Sequence, residues 1–436
     1  MTAIIEPRVL KGFRDFLPSS EITRIKLIEK IEASFRSFGF VPIDTPALEY
    51  AEILLGKGGG ETEKQIYRFT DNGGRDVALR FDLTVPFARF TALHQNEIAF
   101  PFKRYHIGKV WRGENTQRGR YREFTQCDFD IIGSDSTAAD FEILLLIRNT
   151  LLGLGADVRI HLNHRGLFNL FLKRLNLTEK SQEILQTVDK KNKVVQEETF
   201  NSLASLAGED NAKKILHFTG GNSGEETFEQ CLQRITELTG GASPESERLS
   251  MLRRYMTDSG CADIFVLDPS ITRGLDYYTG VVFETFLTKL PDIGSICSGG
   301  RYDNLAGLYS KSKISGVGSS IGLDRMIAAL ENLGALPSSA VYAKAAICCN
   351  RQEHFGLYQT LALKFREADI PCEVFLEETD KQVKQFVLAE KKGIAALIIP
   401  GENPLTDPIT IRDIGKRQNT EGLSFTQACK VIGEIR

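Results

Sequence analysis

Residues 104 to 131 constrain the fold most. They hold two long strand-like runs, KRYHIGKVWR ending at Arg112 and GRYREFTQCDFDIIG starting at Gly119, joined by the polar loop GENTQRG. Successive side chains of a strand point to opposite faces. Arg120, Arg122, Phe124, Gln126, Asp128 and Asp130 therefore share one face, and Tyr121, Thr125, Cys127 and Phe129 the other. With the hairpins and long helices around them, these strands read as part of an antiparallel sheet carrying helices. A solvated outer face would account for the charges. Their order fits a ligand surface instead: arginines at one end, acids at the other, an aromatic ring between. That order describes an anion site, a stacking platform and a cation or imidazole site. Glu114, Gln117 and Arg118 in the loop are placed to touch a nucleotide or a longer polyanion.

A second run, Ile271–Phe283 (ITRGLDYYTGVVF), sets Arg273, Tyr277 and Tyr278 between flanks that read as buried strand. An ion among apolar neighbours is costly without a partner, so such a residue faces a ligand or serves as a structural arginine beside a glycine turn.

Around these runs the chain reads as hairpins with long helices between them. A helix is expected to begin near Ser19 or Ser20, with Ile22, Ile25, Ile28, Ile31 and Phe35 on one face and Gly39 at its end. A hairpin is expected around Asp71-Asn72-Gly73-Gly74. Helices are expected over Leu83–Leu93 and over 138 to 153. From about 170 to 260 the chain turns polar and Lys/Glu-rich, the pattern of a helical insertion. Strand character returns at IFVLD, at YYTGVVFETF and, after SGGRYDNL, at the helix-opening GVGSSIGLDRMIAAL. Past a Pro/Ser/Ala linker near Ala335–Ala345, the pattern becomes βαβα, from AAICCN to AALIIPG. The expectation is an α+β body with an antiparallel sheet over 1–335, and a separate α/β domain over 341–436.

Several chemistries lack their signatures. No G-x-x-x-x-G-K-[ST] run occurs, so a P-loop does not bind the nucleotide, and GKGGG at Gly56–Gly60 reads as a loop. The six histidines form no H-E-x-x-H pattern, and no nucleophile elbow appears. The eight cysteines show no C-x-x-C spacing, and reduced thiols are expected. The formal net charge of −3 requires any basic surface to be local. No signal peptide or membrane span is expected. Many binding groups without a nucleophile suit a reaction in which the substrate carboxylate attacks and the protein supplies orientation and charge. Guanidinium groups around Phe124 match a triphosphate. Arg325, early in the helix after GVGSSIG, would add a phosphate ligand or be a plain surface residue. Asp82 and Thr84 precede a helix that Pro86 can open, so Asp82 caps that helix or binds an ammonium group.

Together these segments resemble the histidyl-tRNA synthetases, a family of class II aminoacyl-tRNA synthetases. KGFRDFLP, FVPIDTP, KRYHIGKVWRGENTQRGRYREFTQCDFD and GVGSSIGLDR resemble the opening segment and the three class motifs. RGLDYYTG and SGGRYDNL resemble the histidine-specific signatures. Asp82 stands where many bacterial members carry Glu, and RFDLTVPFARF with QCDFD resembles the eukaryote-like branch. The resemblance implies ATP-dependent ligation of L-histidine to its tRNA through histidyl-adenylate. It also implies magnesium with ATP, no tightly held protein-ligated metal, a cytoplasmic homodimer and a C-terminal anticodon-binding domain. Arg112 then holds the α-phosphate and the histidine carboxylate, Arg325 the γ-phosphate, and Arg273 stabilises charge at the α-phosphate. Phe124 stacks on adenine, Glu114 reads it, and Arg120 joins the ATP site. Asp82, Thr84 and Gln126 bind the histidine ammonium group. Asp130 and Tyr278 hold the imidazole, with Tyr277 nearby. Two relatives compete. One is a histidine-binding regulatory subunit of a phosphoribosyltransferase, which typically lacks the anticodon domain. The other is an uncharged-tRNA sensor normally fused to a kinase, and no kinase signature is present.

Overall fold

The computed structural model describes residues 4–56, 61–117, 119–189, 196–220, 226–271, 278–303, 306–309, 313–336, 341–379 and 381–435. The chain divides into two compact units, Met1–Arg14 with Ile28–Ala335, and Asp15–Leu27 with Leu336–Arg436.

Helix α1 spans Pro18–Ser37. It starts just before the expected serines because proline is pre-organised for a first helical position, where its missing N–H is not needed. Gly39, at φ +78, ends the segment. Short strands follow at Val41–Pro42 (β1), Leu48–Tyr50 (β2), Arg68–Thr70 (β3) and Asp76–Leu79 (β4), with helices at Ala51–Leu55 (α2) and Glu61–Gln65 (α3). Strands β3 and β4 form the expected hairpin, whose Asp71 carboxylate accepts from the Gly73 and Arg75 amides at 2.9 and 2.8 Å. Helix α4 is Thr84–Leu93.

Strands β5 (Phe102–Trp111), β6 (Glu123–Ile132), β7 (Val158–His164), β8 (Phe265–Leu267), β9 (Val281–Leu287), β10 (Cys297–Tyr302) and β11 (Gly316–Gly322) build the main sheet, with helix α5 (Thr137–Gly153) between β6 and β7. Its order is β1-β5-β6-β11-β10-β9-β7-β8; the six middle strands run antiparallel to one another, and the edge strands β1 and β8 lie parallel to β5 and β7. The helical insertion lies between β7 and β8, with α6 to α11 at Arg165–Arg174, Ser181–Asp189, Gln196–Ala207, Glu209–Thr219, Phe228–Thr239 and Pro244–Asp258. Helix α12 (Leu323–Asn332) follows β11. GVGSSIG is a central strand that leads directly into that helix, as expected.

One face of the sheet is largely apolar. Phe129 packs tilted against Phe35 at 4.8 Å and meets Phe40 edge-on at 6.3 Å, both rings in the 28–335 unit. An ion cluster locks the same face. Arg301 Nε and Arg248 Nε donate to the two oxygens of Asp140, at 2.8 and 2.6 Å, and Asp140 is wholly buried. These bonds tie β10 and α11 to α5.

In the second unit, strands β12 (Ala345–Ile347), β13 (Cys372–Val374) and β14 (Ala396–Ile399) are parallel, and β15 (Ile409–Asp413) and β16 (Gln418–Leu423) extend the sheet antiparallel. Helices α13 (Phe355–Glu367), α14 (Gln382–Lys392) and α15 (Phe425–Glu434) accompany it. The βαβα pattern appears as expected. The β15–β16 pair and α15 lie beyond that pattern. None of the eight cysteines forms a disulfide. No helix among the described residues is long and apolar enough to cross a membrane.

Candidate active site

The second face of the sheet is polar, and cross-strand register decides what meets on it. Arg104 lies opposite Asp130, His106 opposite Asp128 and Gly108 opposite Gln126. On the far side, Gly318, Ser320 and Gly322 face the same three residues of β6. Further along, Ser298 pairs with Ser320 and Glu284 with Ser298.

Arginines gather at one end. Arg112 Nε donates to the Phe81 carbonyl at 2.9 Å, and its guanidinium carbon lies 5.2 Å from the Phe124 ring centroid. Arg120 sits 3.7 Å from Glu114. Arg325 donates to the Ser295 carbonyl. Burial, then the charge of Arg120, pulls the Arg325 guanidinium down to about 10; Arg112 adds to this, while Glu114 and Glu284 oppose it. Three guanidinium groups thus share one pocket with two carboxylates, an arrangement that an added polyanion would relieve. Arg120 and Arg122 belong to the loop, because β6 begins only at Glu123. They are therefore not on the strand face expected from alternation. Arg122 Nε instead donates to the Glu114 carbonyl at 3.3 Å.

The opening segment holds that loop. The Arg122 amide donates to the Gly12 carbonyl at 2.8 Å. Gly12 has φ +90, and a Cβ there would meet Arg122 Cγ at 2.7 Å, so glycine is required. Arg14 pairs with Asp324 and lies 4.0 Å over the Tyr121 ring, while the second Asp324 oxygen accepts from the Thr125 amide at 2.7 Å. Neither Arg14 nor Asp324 was singled out by pattern, since their partners lie 310 and 199 residues away in sequence.

The middle of the face holds Gln126, whose amide donates to Ser320 Oγ at 2.9 Å while its carbonyl oxygen has no partner. Thr84 Oγ1 lies 3.5 Å from Asp128 Oδ2. Asp82 Oδ1 accepts from the Val85 amide at 3.1 Å and so caps α4.

At the deep end, Asp130 lies 2.6 Å from Arg104 Nη2 and accepts from the Tyr302 hydroxyl at 2.7 Å. Burial raises its carboxyl, against the pull of Arg104. Arg104 is wholly buried over the Phe87 ring, at 4.1 Å. Tyr278 is half-buried and packs so close to β10 that a Cβ at Gly300 would lie 2.9 Å from its ring. His106 is pushed down to about 3 by burial, then by Arg104 and Arg80, and is a neutral imidazole at neutral pH. Asp128 is pushed up to about 7, chiefly by burial.

The structure thus brings Arg112, Glu114, Arg120, Phe124 and Arg325 to one end of the face. It brings Asp82, Thr84 and Gln126 to the middle, and Asp130 and Tyr278 to the other end. Arg273, Tyr277 and Arg118 lie outside the described residues. Sequence reasoning gave no role to Arg104, Tyr302, Ser320 or Asp128, although Asp128 stood on the expected face.

The sequence profile described as Histidyl-tRNA synthetase matches residues 12–326. A Histidine–tRNA ligase of Treponema denticola is 55% identical over 398 residues, covering 90% of this chain and 89% of the relative. That of Treponema pallidum is 49% identical, covering 95% of both chains. The crystal structure of histidyl-tRNA synthetase from Nostoc superposes with a TM-score of 0.83 at 29% identity, over 99% of both chains. An ATP phosphoribosyltransferase regulatory subunit/histidyl-tRNA synthetase from Bacillus halodurans shares the fold, with a TM-score of 0.74 at 21% identity over 91% of this chain and 99% of that one. By profile and by relatives, the chain belongs to the histidyl-tRNA synthetase family.

Proposed function

We propose that this protein joins L-histidine to its tRNA in two steps, with ATP as the activating substrate. In the first, a histidine carboxylate oxygen bonds to the α-phosphorus of ATP, and the bond to pyrophosphate breaks with its electron pair leaving on pyrophosphate. In the second, a hydroxyl of the terminal adenosine of tRNA attacks the histidyl carbonyl, and AMP leaves. The carrying observation is the graded face: Arg112, Arg120 and Arg325 at one end, buried carboxylates at the other, and Gln126 between them.

Arg112 bridges the α-phosphate and the histidine carboxylate, Arg325 takes the γ-phosphate, Phe124 stacks on adenine and Glu114 reads it. Arg120 adds charge to the ATP site. Arg273 stabilises the charge that grows at the α-phosphate. Asp82, Thr84 and Gln126 bind the ammonium group, while Asp130, Tyr278 and Tyr277 surround the imidazole. A site with buried polar partners rejects amino acids that cannot satisfy them. Magnesium enters with ATP, and Glu114 and Glu284 are the hard oxygen donors beside the arginine cluster. Residues 1–335 are the catalytic domain, residues 341–436 read the anticodon, and the insertion at about 170–260 touches the acceptor stem. The protein works as a cytoplasmic homodimer. The QCDFD signature and Asp82 give it a eukaryote-like histidine pocket.

Exchange of labelled pyrophosphate into ATP, run with each of the twenty amino acids, tests the first step. Exchange with histidine alone is expected. Histidine binding without exchange would favour the regulatory-subunit reading, and exchange with another amino acid would refute the pocket assignment.

A further inference from the structure

Asp128 is a buried carboxylate without a cation of its own. Its side chain is 1% exposed, and its Oδ1 has no hydrogen-bond partner. The groups facing it come from every neighbouring element. On β5, Arg104 is paired with Asp130, and His106 is neutral and contacts Asp44. After β4, Arg80 donates to the Lys109 and Thr45 carbonyls and lies 3.9 Å from Asp44. Ahead of α4, Asp82 adds a like charge, and Thr84 Oγ1 reaches the other oxygen. Ser320 on β11 stands directly opposite and hydrogen-bonds the carboxyl, which with the charge of Arg104 favours its ionised form, while Asp130 opposes it. The buried Cys297 thiol is kept neutral, pushed up to about 12.

A buried carboxyl that keeps an oxygen unpartnered has capacity left for a donor, and a cation that arrives would satisfy it. Position on the face says which cation. Asp128 lies between Gln126, which leads toward the arginine cluster, and Asp130, which lies beside Tyr302 and Tyr278. The unpaired Gln126 carbonyl oxygen is a second acceptor on the same face. Of the three carboxylates here, Asp82 spends an oxygen on a helix cap and Asp130 is held by Arg104 and Tyr302.

We propose that Asp128 is a direct acceptor for the α-ammonium group of the amino-acid substrate, and that it discharges its own proton when that group binds. This assignment rests on the function proposed above. Burial pushes the empty Asp128 carboxyl up to about 7, so a large part of it is protonated at neutral pH. An ammonium group beside it favours the carboxylate, and the proton goes to solvent.

Calorimetric titration of the full-length protein at pH 6, in two buffers of different ionisation enthalpy, tests this. The probes are L-histidine, histidinol, and imidazole propionate, which lacks the ammonium group. Histidine and histidinol are expected to release about one proton more on binding wild type than on binding Asp128→Asn, whereas imidazole propionate should release the same number from both. The substitution should weaken histidine and histidinol by about 10- to 100-fold, the range for a hydrogen bond to a charged group, and leave imidazole propionate within about threefold. Equal loss for all three ligands would make Asp128 structural and overturn the assignment, as would unchanged histidine affinity. If that variant does not fold, Asp128→Ser takes its place, and equal proton release from wild type and that variant with histidine overturns the assignment. Wild type that exchanges pyrophosphate with histidine yet fails these tests sinks this assignment alone. Wild type that binds no histidine sinks both.

Discussion

Gly318 is the position at which a single methyl group should do most damage. A Cβ there would fall 1.8 Å from Asp130 Oδ1, 2.3 Å from its carboxyl carbon and 2.8 Å from the Phe129 carbonyl oxygen. Neither neighbour can step aside. Asp130 is clamped by Arg104 and Tyr302, and Phe129 belongs to β6, which is hydrogen-bonded on both edges. Gly318→Ala therefore separates the Arg104–Asp130 pair and leaves a wholly buried guanidinium unmatched. Breaking a buried pair costs about 3–5 kcal/mol. Loss of the Tyr302 hydrogen bond adds about 1–3 kcal/mol. For a unit of about 320 residues, unfolding entropy near Tm is about 0.7 kcal/mol/K, so Tm should fall by about 6–11 °C. Differential scanning calorimetry reads this directly. Gly153→Ala, at the end of α5 with nothing within 4 Å, is the control and should leave Tm unchanged or slightly raised. A Gly318→Ala protein melting within about 1 °C of wild type would refute the clamped geometry of Asp130.

Three further outcomes are expected. Asp140→Ala strands Arg301, which is 2% exposed, and should cost about 3–5 kcal/mol in urea unfolding; a loss under about 1 kcal/mol would mean the cluster relaxes into solvent. Arg325→Ala should raise the KM for ATP in pyrophosphate exchange by about tenfold or more with little change for histidine, and an unchanged ATP KM would remove Arg325 from the phosphate site. The third concerns pH and the unliganded protein. The folded carboxyl of Asp128 holds its proton up to about 7, above its ordinary 3.8, so folding is increasingly penalised as pH rises from about 4 to about 7. The stability of Asp128→Asn relative to wild type should therefore grow across that window and level off above it, as read by urea unfolding at a series of pH values; a flat difference would place the carboxyl in a better-solvated setting.

What the sequence made legible follows from the period of each element. The alternation from Phe124 to Asp130 survives folding because both neighbours of β6 are strands, so period two holds along its length. The same rule failed at Arg120 and Arg122, where no partner strand exists and the chain instead bonds across the loop, Arg120 to Gln117 and Arg122 to Gly12. Strand β16 was invisible because five of its six residues, Gln418 to Gly422, are exposed and carry no alternation. Helix α15 did carry a signal. Ser424 and Gln427 form a capping box, with the Ser424 amide donating to Gln427 Oε1 at 2.9 Å.

The site was half legible for a deeper reason. Chemistry can be read from residue types in one strand, but partnership is set by register between strands. Nothing in QCDFD tells which acid is already neutralised. That is decided by Arg104 facing Asp130 across β5 and by Tyr302 reaching over from β10. The small residues of GVGSSIG signal close approach, yet only the pairing of Gly318 with Asp130 names what approaches. Two residues along the same strand, Asp128 faces a neutral imidazole and a serine instead of a cation. A shift of two residues would keep every side chain on its face and the core intact while exchanging the roles of the two acids. In the observed register the glycine at 318 is what gives the Asp130 carboxylate its room, since a Cβ there would collide with it. The placing of this acid thus depends on the absence of a methyl group opposite it as much as on the charges around it.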